Sequence, residues 1–117
     1  MPKILVIEDM PESASMMAEI LGQYGHEVRI ASTGAQGLQL AQDFVPDLII
    51  CDYMLPDVDS RAYLATLAKE KHSKIVVCTA TPQPLMQQTP DAFGADGFVQ
   101  KPYRLSELMA VVEAQLA

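Results

Sequence analysis

The chain has 117 residues, half of them hydrophobic, which is enough to build one domain around one core. Its formal net charge of −7 argues against the basic face that direct binding to nucleic acid requires. The sequence has no apolar run of about 18 residues and enters a strand at once, so it predicts neither a membrane span nor a signal peptide. Because Cys51 and Cys78 lie within apolar runs, we expect reduced, buried thiols and a cytoplasmic protein.

Strand-like and helix-like segments alternate along the chain. Apolar runs predict five strands, at 3–8, 27–31, 47–51, 74–79 and 96–99. Apolar residues at helical spacing predict helices at 11–23, 34–44, 60–70 and 104–116. Strands that alternate with short helices favour βαβ units, and we therefore expect an α/β protein with a parallel sheet.

Prolines interrupt the segment between the fourth and fifth predicted strands. Pro82 and Pro84 can begin a helix, but Pro90 would interrupt it within two turns, because proline lacks an amide donor and clashes with the preceding turn. We therefore expect an irregular fourth helix, with segment 82–93 shorter in helix and more mobile than the other crossovers.

Charged and polar residues stand where four of the predicted strands end. Glu8 and Asp9 close the first strand, Asp52 follows the third, Thr79 ends the fourth and Lys101 follows the fifth. In a parallel sheet these ends share one edge, which is where open α/β folds bind ligands. Three carboxylates at one edge repel one another unless a cation lies between them, so the pattern predicts a cation-binding site.

These motifs, in this order, make the whole chain resemble the receiver domains of two-component response regulators. The matching residues are Glu8–Asp9, the run from Asp52 to Asp57, Thr79–Ala80 and Lys101–Pro102. The resemblance implies one receiver domain over residues 1–117, with a flavodoxin-like, three-layer, doubly wound fold and the strand order 2-1-3-4-5. It also implies a phosphorelay signalling protein that takes a phosphoryl group from a phosphohistidine kinase onto Asp52. Such a protein catalyses its own phosphorylation and dephosphorylation but is not otherwise an enzyme.

The acidic residues have chemical roles that agree with this resemblance. The carboxylate of Asp52 is a nucleophile that can form an acyl phosphate, and Mg²⁺ would offset the repulsion between the acids and the incoming anion. We expect direct Mg²⁺ ligands from Asp9, Asp52 and the backbone carbonyl of Met54. Glu8 is expected to act through a metal-bound water.

The remaining site residues are expected to bind and report the phosphate. Lys101 supplies a positive charge to one phosphate oxygen, and the hydroxyl of Thr79 bonds to another. Thr79 and Phe98 form the expected switch, in which the threonine moves toward the phosphate and the ring of Phe98 fills the space left behind. The resemblance also implies a cis peptide bond between Lys101 and Pro102, a bond type in which cis costs little.

The expected partners are a sensor histidine kinase or phosphotransfer protein and an unknown downstream protein, with the chain a monomer or weak dimer. Two other functions stay open. A phosphorylation-independent interaction domain with a receiver-like fold usually loses the acids or the lysine, which are present here. The other is a small enzyme or a flavin carrier on the same fold. A flavin carrier needs a phosphate-binding loop after the first strand, where the acidic residues between Glu8 and Glu12 would repel a phosphate. Asp57 and Asp59 are interpreted as loop charges.

Overall fold

Five parallel strands form one sheet in the computed structural model of the protein. The structure describes residues 2–53, 55–69, 73–79, 95–101 and 103–117. The strands are β1 (Lys3–Ile7), β2 (Glu27–Ala31), β3 (Leu48–Asp52), β4 (Lys74–Thr79) and β5 (Gly97–Gln100). Their order across the sheet is β2-β1-β3-β4-β5, with every neighbouring pair parallel. The parallel sheet and the strand order 2-1-3-4-5 are therefore confirmed.

Helices cover both faces of this sheet. The described helices are α1 (Pro11–Gln23), α2 (Gly34–Phe44), α3 (Ser60–Ala68) and α4 (Leu105–Leu116). Buried residues of α1 and α4, such as Leu21 and Val112, share one core with Ile4 and Ile50. On the other face the buried side chains of α3 form a second core with Leu5, and α2 packs against it. Two apolar cores around a buried sheet make the three-layer sandwich that was expected.

Local sequence explains where the first two helices begin and where the first one ends. Pro11 occupies the first turn of α1, where its missing amide hydrogen is no loss. Thr33 precedes α2, and its hydroxyl accepts a hydrogen bond of 3.1 Å from the amide of Gln36. After α1 the chain turns at Gly25, whose φ of 88° suits a residue without a Cβ.

Two aspartates align the strands at the amino edge of the sheet. The carboxylate of Asp47 accepts a 2.8 Å hydrogen bond from the amide of Lys3, and that of Asp96 accepts one of the same length from the amide of Ile75. The Asp47 carbonyl also accepts a hydrogen bond from the amide of Lys74. These bonds tie together the starts of β1, β3, β4 and β5, which helps to fix the register that brings their carboxyl ends to one edge.

Most predicted boundaries differ from the observed ones by no more than two residues. Leu105, the first residue of α4, is 44% exposed, whereas Leu108 and Val112 of the same helix are buried. Segment 82–93, for which an irregular helix was predicted, lies outside the described residues. Within the described ranges, every helix is too short or too polar to cross a bilayer.

Candidate functional site at the carboxyl edge of the sheet

The carboxyl edge of the sheet brings together residues that lie far apart in the sequence. Glu8 and Asp9 directly follow β1, Asp52 is the last residue of β3, and Lys101 directly follows β5. The amide of Glu8 still donates a hydrogen bond to the carbonyl of Ala31. This backbone bond extends the β1–β2 ladder by one residue and fixes the backbone of Glu8 at this edge.

Three carboxylates form one cluster at this edge. Glu8, Asp9 and Asp52 each offer an oxygen, and these oxygens lie within 4.8 Å of one another. The side chain of Glu8 is 3% exposed and that of Asp52 is 10% exposed. Carboxylates this close and this poorly hydrated repel one another strongly, so a positive charge is needed nearby.

Lys101 provides such a charge. Its Nζ lies 3.1 Å from Oε2 of Glu8 and 3.7 Å from Oδ1 of Asp52. The other oxygen of Glu8, Oε1, accepts a hydrogen bond of 3.2 Å from the amide of Met10. Both oxygens of the buried Glu8 are therefore bonded to the protein, as buried polar groups require.

The pKa values of the pair follow from these contacts. Burial raises the pKa of Glu8, and the charge of Asp52 adds to this, while the bonds from Met10 and Lys101 oppose it without cancelling it. Burial acts to lower the pKa of Lys101, but its hydrogen bond to Glu8 and the charges of Asp52 and Glu8 outweigh burial, and the pKa is raised. Lys101 therefore stays protonated at neutral pH.

The cluster has the donor chemistry of a site for a small divalent cation. Carboxylate oxygens are the ligands that Mg²⁺ prefers, and it binds through one or two of them while it keeps several waters. Beside the acids lies an open cavity of about 390 Å³, lined by Asp9, Met10, Pro11 and Glu12 among the described residues. The edge therefore combines clustered carboxylate oxygens and a fixed ammonium, with a solvent-accessible space beside Asp9.

The structure describes the other predicted site residues in less detail. Thr79 ends β4, next to β3 and β5, but its side chain is outside the description, as are Met54 and Pro102. The expected carbonyl ligand and the cis peptide bond consequently lie outside the described residues. Phe98 is half-buried on β5 and packs against the core on the side of α3.

Two aspartates interpreted as loop charges cap helices instead. Asp59 precedes α3 and accepts a 3.2 Å hydrogen bond from the amide of Ala62, a local N-cap that the sequence just before a predicted helix could have indicated. Asp57 accepts hydrogen bonds from the amides of Gly34 and Ala35 at 2.9 Å and 3.2 Å. No local signal predicts this second cap, because 22 or more residues separate the partners.

Comparisons with known proteins agree with this geometry. The family model described as the response regulator receiver domain matches residues 4–113. The DNA-binding dual master transcriptional regulator RpaA of a Synechocystis strain is 35% identical over 99% of this chain and 49% of its own length. The chain spans about half the length of the curated relatives that it matches.

Solved structures give the same result. A CheY-like receiver domain protein from Methanospirillum hungatei superposes with a TM-score of 0.90 at 25% identity, covering 99% of this chain and 94% of that one. The response regulator protein TrrA from Thermotoga maritima, solved in complex with Mg²⁺–BeF, has a TM-score of 0.85 at 28% identity, covering 98% and 99% of the two chains.

Proposed function

The chain belongs to the response regulator receiver domain family, and from this premise we propose that it is a phosphorylation-controlled signalling module with Asp52 as the phosphoryl acceptor. The observation that carries the proposal is the meeting of Glu8, Asp9, Asp52 and Lys101 at one edge of the sheet. Residues 1–117 form the receiver domain in this proposal, and it resides in the cytoplasm as a monomer or weak dimer.

Asp52 acts as the nucleophile. Its carboxylate oxygen forms a bond to phosphorus while the phosphorus–nitrogen bond of a phosphohistidine breaks, and the leaving imidazole takes a proton from solvent. The donor is a sensor histidine kinase or a phosphotransfer protein, and an unknown downstream protein reads the result. The chain supports its own phosphorylation and dephosphorylation but acts on no separate substrate.

The acidic cluster fits Mg²⁺ as the resident cation. Three carboxylates within 4.8 Å of one another supply hard oxygen donors, and Mg²⁺ would neutralise the charge that develops on the transferred phosphoryl group. Asp9 and Asp52 would hold the ion together with the backbone carbonyl of Met54. Glu8 would act through a water, in keeping with two oxygens that are already bonded to Met10 and Lys101. The Thermotoga response regulator protein was solved in complex with Mg²⁺–BeF, which supports Mg²⁺ as the ion.

Lys101 orients the phosphoryl group. Its ammonium already lies 3.7 Å from Oδ1 of Asp52, so an oxygen carried on that carboxylate comes within its reach. Thr79 would donate its hydroxyl to another oxygen of the phosphate. Thr79 and Phe98 would then carry the change to the surface as the switch pair.

The test of the acceptor is the mass of the protein after incubation with acetyl phosphate and Mg²⁺. The wild type should gain one base-labile phosphoryl group, and Asp52→Asn should gain none. Asp43→Asn, an exposed residue on α2, removes the same charge outside the site and should gain the group like the wild type. An unchanged adduct in Asp52→Asn would refute the assignment. A wild-type chain that never gains mass would favour the phosphorylation-independent interaction domain.

The test of the cation site is a titration with Mg²⁺. The wild type should bind Mg²⁺ weakly before phosphorylation. Asp9→Ala should remove most of this binding, because Mg²⁺ keeps several waters and depends on only one or two carboxylate ligands. Asp43→Ala serves as the control and should bind as the wild type does. Equal affinity in Asp9→Ala and the wild type would mean that the ligand set is wrong.

A further inference from the structure

The loop between β3 and α3 is attached to helix α2 by a contact that we call the α2 anchor, formed by Asp57, Val58 and Tyr63 against Gly34. Each oxygen of the Asp57 carboxylate accepts one backbone hydrogen bond, from Gly34 at 2.9 Å and from Ala35 at 3.2 Å. A negative charge at a helix N-terminus is also favoured by the helix dipole. These two bonds connect the loop to an element more than 20 residues away in sequence.

Close packing reinforces the polar contact. The buried hydroxyl of Tyr63 donates a 2.6 Å hydrogen bond to the carbonyl of Gly34. A Cβ added at Gly34 would lie 2.5 Å from Cγ1 of Val58, a distance that side chains do not adopt. The α2 anchor therefore depends on a residue without a side chain at the first position of α2, and it leaves the loop little room to shift.

The same loop begins directly after Asp52. Its first residue, Tyr53, donates an amide hydrogen bond of 3.0 Å to the carbonyl of Cys78 on β4. The loop is thus held at the sheet by this bond and at α2 by Asp57, with only a few residues between the two points. Attachment at both points lowers the conformational entropy that Tyr53 and Asp57 would otherwise lose when a ligand binds.

We propose that Asp57 is a positioning residue for the site at Asp52: by bonding to α2 it holds the loop in the conformation that binds Mg²⁺ and accepts the phosphoryl group. The inference rests on the proposed function. Thr33 already caps α2 through the amide of Gln36, so the helix has its own start signal. What the Asp57 bonds add is therefore the attachment of the loop to the helix.

The test compares Asp57→Ala with two matched variants, each titrated with Mg²⁺. Asp59→Ala removes the same charge two residues away and a similar helix cap, that of α3. Thr33→Ala removes the cap of α2 and leaves the loop bonds intact. Asp57→Ala should weaken Mg²⁺ binding about tenfold, the lower end of the losses seen when a group that orients a metal site is removed, because Asp57 acts on the site only through the loop. The two controls should bind Mg²⁺ as the wild type does, because they leave the bonds between the loop and α2 in place.

Amide hydrogen exchange gives a second measurement that needs no metal. Asp57→Ala should speed exchange at Gly34 and Ala35, which lose their acceptor, and also at Tyr53, the first residue of the loop. Thr33→Ala should speed exchange at Gln36 and leave Tyr53 unchanged. Asp57→Asn keeps one acceptor oxygen, so its exchange rates and Mg²⁺ affinity should lie between those of the wild type and Asp57→Ala.

The outcomes separate this inference from the proposed function. If Asp57→Ala and Asp59→Ala weaken Mg²⁺ binding equally, the effect is one of charge alone and Asp57 does not position the site. If exchange at Tyr53 is the same in Asp57→Ala and the wild type, the α2 anchor does not reach Asp52 and the inference is likewise wrong. A wild type that neither binds Mg²⁺ nor gains a phosphoryl group would overturn the proposed function, and the inference with it.

Discussion

Replacement of Lys101 by methionine tests the electrostatics of the site separately from its phosphorylation chemistry. Lys101→Met keeps much of the side-chain volume but removes an ammonium that lies 3.1 Å from Glu8 and 3.7 Å from Asp52. The two carboxylates then lie close together without that compensating charge. Because Glu8 is 3% exposed, water cannot replace the lost interaction, and one carboxyl group should take up a proton when the variant folds at neutral pH.

The free energy of that protonation limits the loss of stability. A carboxyl group with the ordinary pKa of 4.5 takes up a proton at pH 7 at a cost of about 3.4 kcal/mol, because each pKa unit corresponds to about 1.36 kcal/mol. The attraction between the Lys101 ammonium and the Glu8 carboxylate across 3.1 Å is roughly 5 kcal/mol at an effective dielectric constant of about 20. Protonation of one carboxyl group therefore costs less than burial of both carboxylates without this attraction. The variant also no longer has to bury an ammonium group, which reduces the loss below the cost of protonation. We therefore expect the free energy of unfolding to fall by about 2–3 kcal/mol at pH 7.

The loss should become smaller in acid. Glu8 has a raised pKa in the folded protein, so its protonation favours folding, and this stabilisation is lost as the pH rises through the folded pKa. Without Lys101 the pKa rises further, because the ammonium acts to lower it. At pH 5 the same protonation costs about 0.7 kcal/mol, so the variant and the wild type should differ by less than about 1 kcal/mol.

Urea unfolding followed by circular dichroism at pH 5, 6 and 7, with EDTA present, measures this difference. Lys74→Met is the control, because Lys74 is exposed at the opposite edge of the sheet, and it should change the free energy of unfolding by less than about 0.5 kcal/mol. A loss in Lys101→Met that is the same at pH 5 and pH 7 would show that the lysine stabilises the fold through packing and not through its charge.

Three further substitutions or measurements test the fold around the site. Gly37→Ala should lower the free energy of unfolding in urea by about 1–3 kcal/mol, because a Cβ there would lie 2.7 Å from Cδ1 of Ile7. Gly22→Ala, where a Cβ would have nothing within 4 Å, should raise it by up to about 1 kcal/mol. A more stable Gly37→Ala than Gly22→Ala would contradict the packing described. Val45 has a φ of 49° and is 50% exposed, so Val45→Asn should raise the urea midpoint by the equivalent of about 1 kcal/mol; an unchanged midpoint would mean that the left-handed backbone carries no strain. Burial raises the pKa of the Cys51 thiol and raises that of Cys78 to about 12, so a thiol reagent at pH 8 should label both only as fast as the protein unfolds, and rapid labelling of the native protein would disprove the burial.

The sequence predicts the elements well where periodicity decides them. Continuous apolar runs such as those of β3 and β4 indicate strands covered on both faces, and the structure has them. The meeting of Asp52 with Glu8 and Asp9 also follows from the sequence, because parallel strands end at one edge. The order of the strands does not follow from local pattern, since it depends on which cores the helices share, and the resemblance to a family supplied it.

The contacts within the site were harder to predict because they depend on side-chain conformation and on distant elements. Sequence placed Lys101 near the phosphate but gave no reason for its shorter contact with Glu8, 3.1 Å against 3.7 Å to Asp52. The sequence did not predict the hydrogen bond that the amide of Gly34 donates to Asp57. A carboxylate in a loop has no sequence signal for an acceptor role when the donors belong to a helix that is not adjacent in the chain.

The partners Glu8 and Lys101 are separated by 93 residues, which makes the ion pair a marker of completed folding. At a synthesis rate of about 5–20 residues per second, the acid would leave the ribosome roughly 5–20 s before the lysine that neutralises it. During that interval the first strand can pair with its neighbours, but its buried carboxylate has no lysine and favours the protonated or hydrated state. Burial of Glu8 as an ion should therefore be one of the last events of folding. In a partly folded chain that buries Glu8 without Lys101, the pKa of Glu8 should be higher than in the folded protein, because Lys101 acts to lower it.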